Sequence, residues 1–518
     1  MTSGTRDHAA ETARNPRVPD TPGQRAPTML VFALPSLLAL ALNLWGITRE
    51  GSMWRDESVT YQVAHRSIPE IWSLLHHVDA VHGAYYFLMH AVFSIWDGGL
   101  WALRLPSVLA ISVCAGFVAL TGRRLAGNRV GTLSGLTFAL IPLVQMYAQE
   151  GRSYGLVCAF AGISTYLFVR AVDTPSTRLW TAYSATLVAA VLLHEFAVLC
   201  LLSHGITLAM SPISARIRRQ WIIAAAVTVA VTLPLVLFSL GQSGQVSWIG
   251  MPKPREWLVI GVTTAIGLLC AKVVAGRSEK SERIVTGRFE GSERNPLTLP
   301  KLSLPLLIFP TAALLLASLR DPVYLDRYVL FSQIGLALLV AAALDTLTRR
   351  VPKPSVGNAK FRETWTLFTF TLLAFMALIP VTLQMRTPES RKDDVAAIAE
   401  TVRQTSSDGD GILYMPARRR EWALSYVKDY APLKDLALRD SPVESTTLQG
   451  TELPAEEIRR NILNSKRIVA LMDPKGQPLD QYPEETTKRQ TLDQFFTECS
   501  RTEVKGAQVV LYARPGHC

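Results

Sequence analysis

Long apolar blocks dominate this chain and settle what it can fold into. Crossing about 30 Å of hydrocarbon at 1.5 Å per residue takes roughly 20 mostly apolar helical residues. Runs of this kind recur near 29–47, 104–121, 130–148, 154–171, 179–193, 196–210, 220–240, 257–275, 302–319, 327–346 and 366–385. The expected fold class is therefore a polytopic α-helical membrane protein with about 11 transmembrane helices, or 12 to 13 if shorter runs also cross. With 49% hydrophobic and 18% charged residues gathered into separate blocks, a single soluble domain is excluded.

The formal charge of +11 could suggest nucleic acid, but its placement argues for membrane orientation instead. Segments 1–28, 122–129, 170–178, 211–219, 272–301 and 347–365 hold 24 Lys and Arg, against nine in the intervening connections, counting Arg104 and Arg327 at span edges. By the positive-inside rule the N-terminus is cytoplasmic, and an odd number of spans places everything after residue 385 outside the cell inner (plasma) membrane. The apolar run His82–Trp96 is short, and counting it as a span would move Arg123, Arg124 and Arg129 outside; it reads as a juxtamembrane or re-entrant helix. Ala39-Leu40-Ala41 imitates a signal-peptide cleavage site, yet the apolar run continues past it, so the first span reads as a retained anchor.

Three regions follow. Residues 1–27 are polar and rich in Pro, Arg and Thr, as in a disordered cytoplasmic tail; residues 28–385 form the transmembrane domain, with an outer loop at 48–103 and a charged connection at 276–300. From 386 to 518 the periodicity changes to helices near 393–404, 421–430 and 491–499, alternating with strands at 411–415, 467–472 and 508–513. This predicts a small extracytoplasmic α/β domain. Cys114, Cys158, Cys200 and Cys270 lie singly in apolar runs and read as buried hydrophobes, while Cys499 and Cys518 are a candidate disulfide if that domain faces an oxidising compartment.

Polar motifs gather on the side assigned as outer. Arg55-Asp56-Glu57 follows the first span, where two adjacent acids suit either an ordinary solvated loop or acid–base chemistry. His76-His77-Val78-Asp79 leads to His82, Tyr85 and Tyr86; these could ligate a divalent metal ion, anchor the interface as aromatics, or, through His82, meet a phosphate. Glu150, Arg152 and Tyr154 are squeezed between two spans, where charges this close to hydrocarbon are expected to pair with each other or line a polar cavity. His194-Glu195 separates two apolar runs, and Arg327-Tyr328 opens a late span.

At these residues the sequence resembles the GT-C class of integral-membrane glycosyltransferases, in the branch of protein O-mannosyltransferases and lipid A aminoarabinose transferases. Asp56-Glu57 stands where that branch carries an Asp-Glu pair in its first outer loop. His82-Gly83-Ala84-Tyr85-Tyr86 resembles its His-Pro-Pro-Leu-Tyr-Tyr stretch without the two prolines, Arg104-Leu105-Pro106-Ser107 matches Arg-Leu-Pro-Ser, and residues 148–154 resemble Ser-Gln-Glu-Ala-Arg-x-Tyr. The resemblance covers roughly residues 29–350.

It implies a polyprenyl-phosphate sugar donor, mannose by family frequency, and a lipid, glycan or protein acceptor. Asp56 would be the general base in an inverting transfer. Arg55, Glu57, His82, Tyr85, Glu150, Arg152, Tyr154, His194, Glu195, Arg327 and Tyr328 would bind the donor's phosphate or sugar, with a divalent ion an open option. A transporter or lipid flippase would also show many spans and ionisable residues, but the charges here sit at span ends and no internal repeat is visible. A polysaccharide polymerase or ligase would favour a long polar outer loop late in the chain; here the acidic loop comes first.

Overall fold

The computed structural model describes residues 22–242, 249–285, 296–349 and 359–518. Residues 1–21 of the expected tail and part of the 276–300 connection fall outside them. Each of the eleven apolar runs lies on helical structure: α1 (Pro22–Leu44), then, after three helices of the connecting segment, α5 (Leu100–Ala126), α6 (Asn128–Leu140) with α7 (Pro142–Ala148), α8 (Tyr154–Asp173), α9 (Thr177–Leu193), α10 (Leu199–Ala209), α11 (Ala215–Leu240), α12 (Pro254–Val285), α13 (Leu299–Ala317), α14 (Gln333–Thr348) and α15 (Ala359–Gln384). Among the described residues seven helices are long and apolar enough to cross a membrane, or eight if the bent α6–α7 pair is one span. The protein is a multi-span membrane protein.

Sequence accounts for the irregular points. The α6–α7 pair bends by 64° at Pro142, whose missing N–H and effect on the extended Ile141 break the helical ladder. Gly131 and Gly135, one helical turn apart on α6, let it approach α5 closely: a Cβ there would lie 2.5 Å from the Ala119 carbonyl oxygen and 2.7 Å from that of Ala115. The segment read as an outer loop at 48–103 is itself helical: α2 (Arg55–Ala64), α3 (Ile68–Leu75) and α4 (Gly83–Ile95). At α3, Ser67 and Glu70 form a reciprocal capping box, with the Glu70 carboxylate accepting the Ser67 N–H at 2.7 Å.

The C-terminal region is an α/β unit. It comprises β1 (Gly411–Met415), β2 (Lys434–Asp435), β3 (Leu438–Asp440), β4 (Thr451–Glu452), β5 (Arg467–Met472), β6 (Thr497–Val504) and β7 (Ala507–Ala513). Its helices are α16 (Val395–Thr405), α17 (Arg420–Ala423), α18 (Val427–Tyr430), α19 (Ala455–Leu463) and α20 (Pro483–Phe495). The main sheet runs β2-β1-β5-β7-β6; β1 is parallel to both neighbours and β7 antiparallel to both of its own.

One face of the sheet packs Ile412, Tyr414, Val469 and Leu471 with α16, the other packs Leu413, Ile468 and Ala470 with α19 and α20. A strand covered on both faces reads as an unbroken apolar run, and β1 and β5 accordingly span the 411–415 and 467–472 expected from sequence. The helix expected over 491–499 is corrected: it ends at Phe495, and Thr497 opens β6, an edge strand whose mostly exposed, polar residues give no strand periodicity. Cys499 and Cys518 are disulfide-bonded, Cα atoms 5.5 Å apart, so the segment after β7 is pinned to β6.

Candidate active site

A cavity of about 1400 Å³ opens where α2, the α7–α8 turn, the segment after α9, the segment between α13 and α14 and the C-terminal domain converge. Arg55, Asp56, His82, Arg152, Tyr154, His194, Glu195, Arg327 and Tyr328 all line it, so residues spread from 55 to 328 meet in one place. The structure places Glu57, Tyr85 and Glu150 elsewhere.

Glu57 points the opposite way from its neighbour. On α2, consecutive side chains diverge by about 100°; Asp56 therefore reaches the cavity while Glu57 enters the protein and is completely buried. There Arg104 grips it with two bonds of 2.7 Å, the Arg49 Nη2 donates to both carboxylate oxygens at 3.0 Å, and the Gly151 N–H donates at 2.9 Å. Arg104 also donates to the carbonyls of Ile47 at 2.7 Å and Ser52 at 2.6 Å. Burial alone would push the Glu57 carboxyl up, but Arg104 and Arg49 outweigh it and hold it near 2. The expected donor-binding role for Glu57 is thus replaced by that of an anchor joining the end of α1, α2, α5 and the α7–α8 turn.

Tyr85 is fully buried in the transmembrane core rather than facing the cavity. Of the two expectations for Glu150 and Arg152, pairing with each other or lining a polar cavity, Arg152 meets the second and Glu150 neither. It turns inward toward Arg391, 3.6 Å away, and burial raises its carboxyl to about 7 against the pull of Arg391 and Arg327.

Two arginines, Arg152 and Arg327, stand on the wall formed by the transmembrane domain. The Arg327 guanidinium lies over the rings of Trp54 and Tyr154 at 5.5 Å each and over Tyr328 at 5.8 Å, with Asp56 Oδ2 3.3 Å from its Nη2. The Arg152 Nη2 donates to His82 Nε2 at 2.6 Å, while its Nη1 is held by the Asp56 carbonyl at 3.4 Å and the Thr60 hydroxyl at 3.3 Å. His82 is therefore an acceptor through Nε2: burial, then the nearby arginines, hold it well below its ordinary range, and they hold His194 near 3. A neutral His82 would meet a phosphate as a hydrogen-bond donor and not as a cation. With Nε2 accepting, its second nitrogen carries the proton, buried and without a partner among the described residues, and the Nδ1 of His194 likewise has none among them. Glu195 accepts from the Ser239 hydroxyl at 2.6 Å at the apolar end of the cavity, near Phe196 and Leu240.

The histidines proposed for a metal do not converge on one. His76 and His77 are exposed and bond the carbonyls of Trp72 and Ser73 at 2.8 and 3.0 Å. Among the described residues no group of three or more His, Cys, Asp or Glu side chains is arranged to hold a metal ion.

A further wall comes from the C-terminal domain, in which sequence reasoning named no site residue. Arg418 and Arg419 follow β1 and share Asp473, which follows β5; Arg418 also reaches Asp480 at 2.8 Å. The carboxyl ends of two parallel strands thus border the cavity, the position where open α/β sheets carry their ligand crevices. Asp393 lines it too, its carboxyl raised by burial to about 6 despite the Arg55 backbone N–H bonded to it.

Residues 84–239 match the family described as Dolichyl-phosphate-mannose-protein mannosyltransferase. ArnT from Cupriavidus metallidurans in its apo state superimposes with a TM-score of 0.53 at 12% identity, over 93% of this chain and 97% of that one. The fold is that of the GT-C glycosyltransferases. The same ArnT bound to undecaprenyl phosphate gives a TM-score of 0.54 at 13% identity, over 92% and 97% of the two chains. No curated protein matches the chain by sequence. The glycosyltransferase class expected from the motifs is the class of the matching family and of this GT-C fold.

Proposed function

We propose that the protein transfers a sugar, mannose foremost, from a polyprenyl-phosphate donor to an acceptor hydroxyl on the outer face of the cytoplasmic membrane, with inversion. The carrying observation is the division of labour within Asp56-Glu57: Asp56 faces a cavity lined with arginines, while its neighbour is locked away from it. The ArnT complex with undecaprenyl phosphate supports the donor class, since that structure shares this fold. The surplus of Lys and Arg in alternate connections supports a cytoplasmic N-terminus, with the cavity and the C-terminal domain outside.

In this reading the prenyl chain lies along the apolar rim near Phe196, Leu240 and Leu316. The phosphate meets Arg152 and Arg327, and the His82 and His194 side chains offer nearby the nitrogens that have no partner among the described residues. Asp56 takes the proton of the acceptor hydroxyl as its oxygen bonds to the anomeric carbon. The bond from that carbon to the phosphate breaks on the opposite face, and the leaving phosphate gains a negative charge that the fixed arginines stabilise. Glu195 accepts hydrogen bonds from sugar hydroxyls in this reading, and Lys392, Arg418 and Arg419 border the acceptor side.

The test is transfer of radiolabelled mannose from a short-chain polyprenyl-phosphate mannose to membrane extracts by the wild type and Asp56→Asn at equal expression. Label dependent on the wild type and absent with the variant supports the reading. Equal label from both removes Asp56 as base.

A further inference from the structure

Asp56 occupies the first turn of α2, and the first N–H groups of a helix have no partner within it. Nothing adjacent in sequence supplies one, because Trp54 stands at the cap position and makes no side-chain capping bond. The acceptor comes from the C-terminal domain: the Asp393 Oδ1 takes the Arg55 N–H at 2.7 Å. The neighbouring Asp394 caps its own helix, accepting the Ala397 N–H at 3.2 Å. Two consecutive acids thus cap two helices, and only one of those helices belongs to their own domain.

Contacts on either side make this a clamp. The Val395 N–H donates to the Met53 carbonyl at 2.7 Å, and the Arg55 guanidinium is held by Glu421 at 3.1 and 3.4 Å. The Ser425 hydroxyl lies 2.7 Å from that of Ser58 and donates to the Ser58 carbonyl at 3.1 Å. Behind Asp393 stands the β6–β7 turn. Gly506 has φ +93° there, and a Cβ at that position would lie 2.2 Å from the Asp393 Cβ. The glycine leaves the space that the aspartate fills.

We propose that Asp393 is a positioning residue for Asp56: by capping α2 from the soluble domain, it fixes the first turn and so the aim of the Asp56 carboxylate into the cavity. The proposal rests on Asp56 being the base. A cap that only stabilised the fold would leave turnover by the folded enzyme unchanged, whereas a small misplacement of a reacting group costs up to about 100-fold in rate.

The experiment uses the full chain in detergent with Asp393→Ala, Asp393→Asn and Gly506→Ala. It reads amide hydrogen exchange over residues 55–60 together with kcat and donor KM for transfer from polyprenyl-phosphate mannose. Asp393→Ala is expected to lower protection of these amides about fivefold or more and kcat about 10- to 100-fold, with donor KM within about twofold. Asp393→Asn retains an acceptor oxygen and should restore both quantities. Gly506→Ala displaces the aspartate without altering it, so it should behave like the alanine variant and stands in for it if that variant does not fold. Wild-type kcat in folded Asp393→Ala overturns the proposal, and so does equal impairment in Asp393→Asn, which would assign the effect to charge. If the wild type transfers no sugar, the catalytic reading falls, while the exchange measurement still decides whether Asp393 caps α2.

Discussion

Replacing Glu57 by Gln separates structural from chemical duty within the Asp56-Glu57 pair. The substitution keeps the shape but removes the negative charge between two fully buried arginines. Glu57 is held near 2 against an ordinary 4.5, a displacement equivalent to about 3 kcal/mol. Breaking a buried ion pair from one side costs about 3–5 kcal/mol, the same order of magnitude. Because the folded value is depressed, this stabilisation is present above the ordinary carboxylate range and is lost as pH falls from about 4.5 toward about 2.

The assay is thermal unfolding of purified protein in detergent, followed by loss of the monodisperse peak, at pH 7 and at pH 3. Glu57→Gln should melt well below the wild type at pH 7, and the gap should narrow at pH 3. Asp56→Asn should melt like the wild type while transfer falls by about 100-fold or more. A Glu57→Gln protein of wild-type stability that has lost transfer, beside an active Asp56→Asn, would exchange the roles of the two acids and refute the reasoning.

Arg327→Lys keeps the charge but loses the planar stack on Trp54, Tyr154 and Tyr328; transfer should drop about tenfold or more, measured with labelled donor. Glu150, raised by burial from an ordinary 4.5 to about 7, penalises the folded state increasingly as pH rises from about 4.5 to about 7 and fully above it. Glu150→Gln should accordingly raise the melting temperature at pH 8 and give no gain at pH 4. Cys499→Ser opens a loop of 19 residues, costing the C-terminal domain about 3 kcal/mol; reductant added to the wild type should reproduce the shift in its unfolding.

The membrane helices were legible because lipid imposes a long apolar run that nothing else in a sequence imitates. The polar motifs were legible as a group for the same reason: charges beside hydrocarbon stand out. Their individual directions were not. Asp56 and Glu57 are chemically alike and adjacent, and only the winding of α2 decides that one faces the cavity and the other faces Arg104. Spacing left Glu150 and Arg152 either to pair or to line a polar cavity, yet the turn between α7 and α8 sends them to opposite sides. Asp393, Arg418 and Arg419 carried no local signal, since their place in the site depends on how a domain docks across more than 300 residues of chain.

That docking also sets an order of events during synthesis. The helix bearing Asp56 is made early, but its partners Asp393, Glu421 and Ser425 follow 338, 366 and 367 residues behind the groups they hold. Until the C-terminal domain has been made and folded, the cavity lacks the wall that Asp393, Arg418 and Arg419 form, and α2 lacks its cap. The site is therefore assembled late, because its first residues wait on partners made hundreds of residues later.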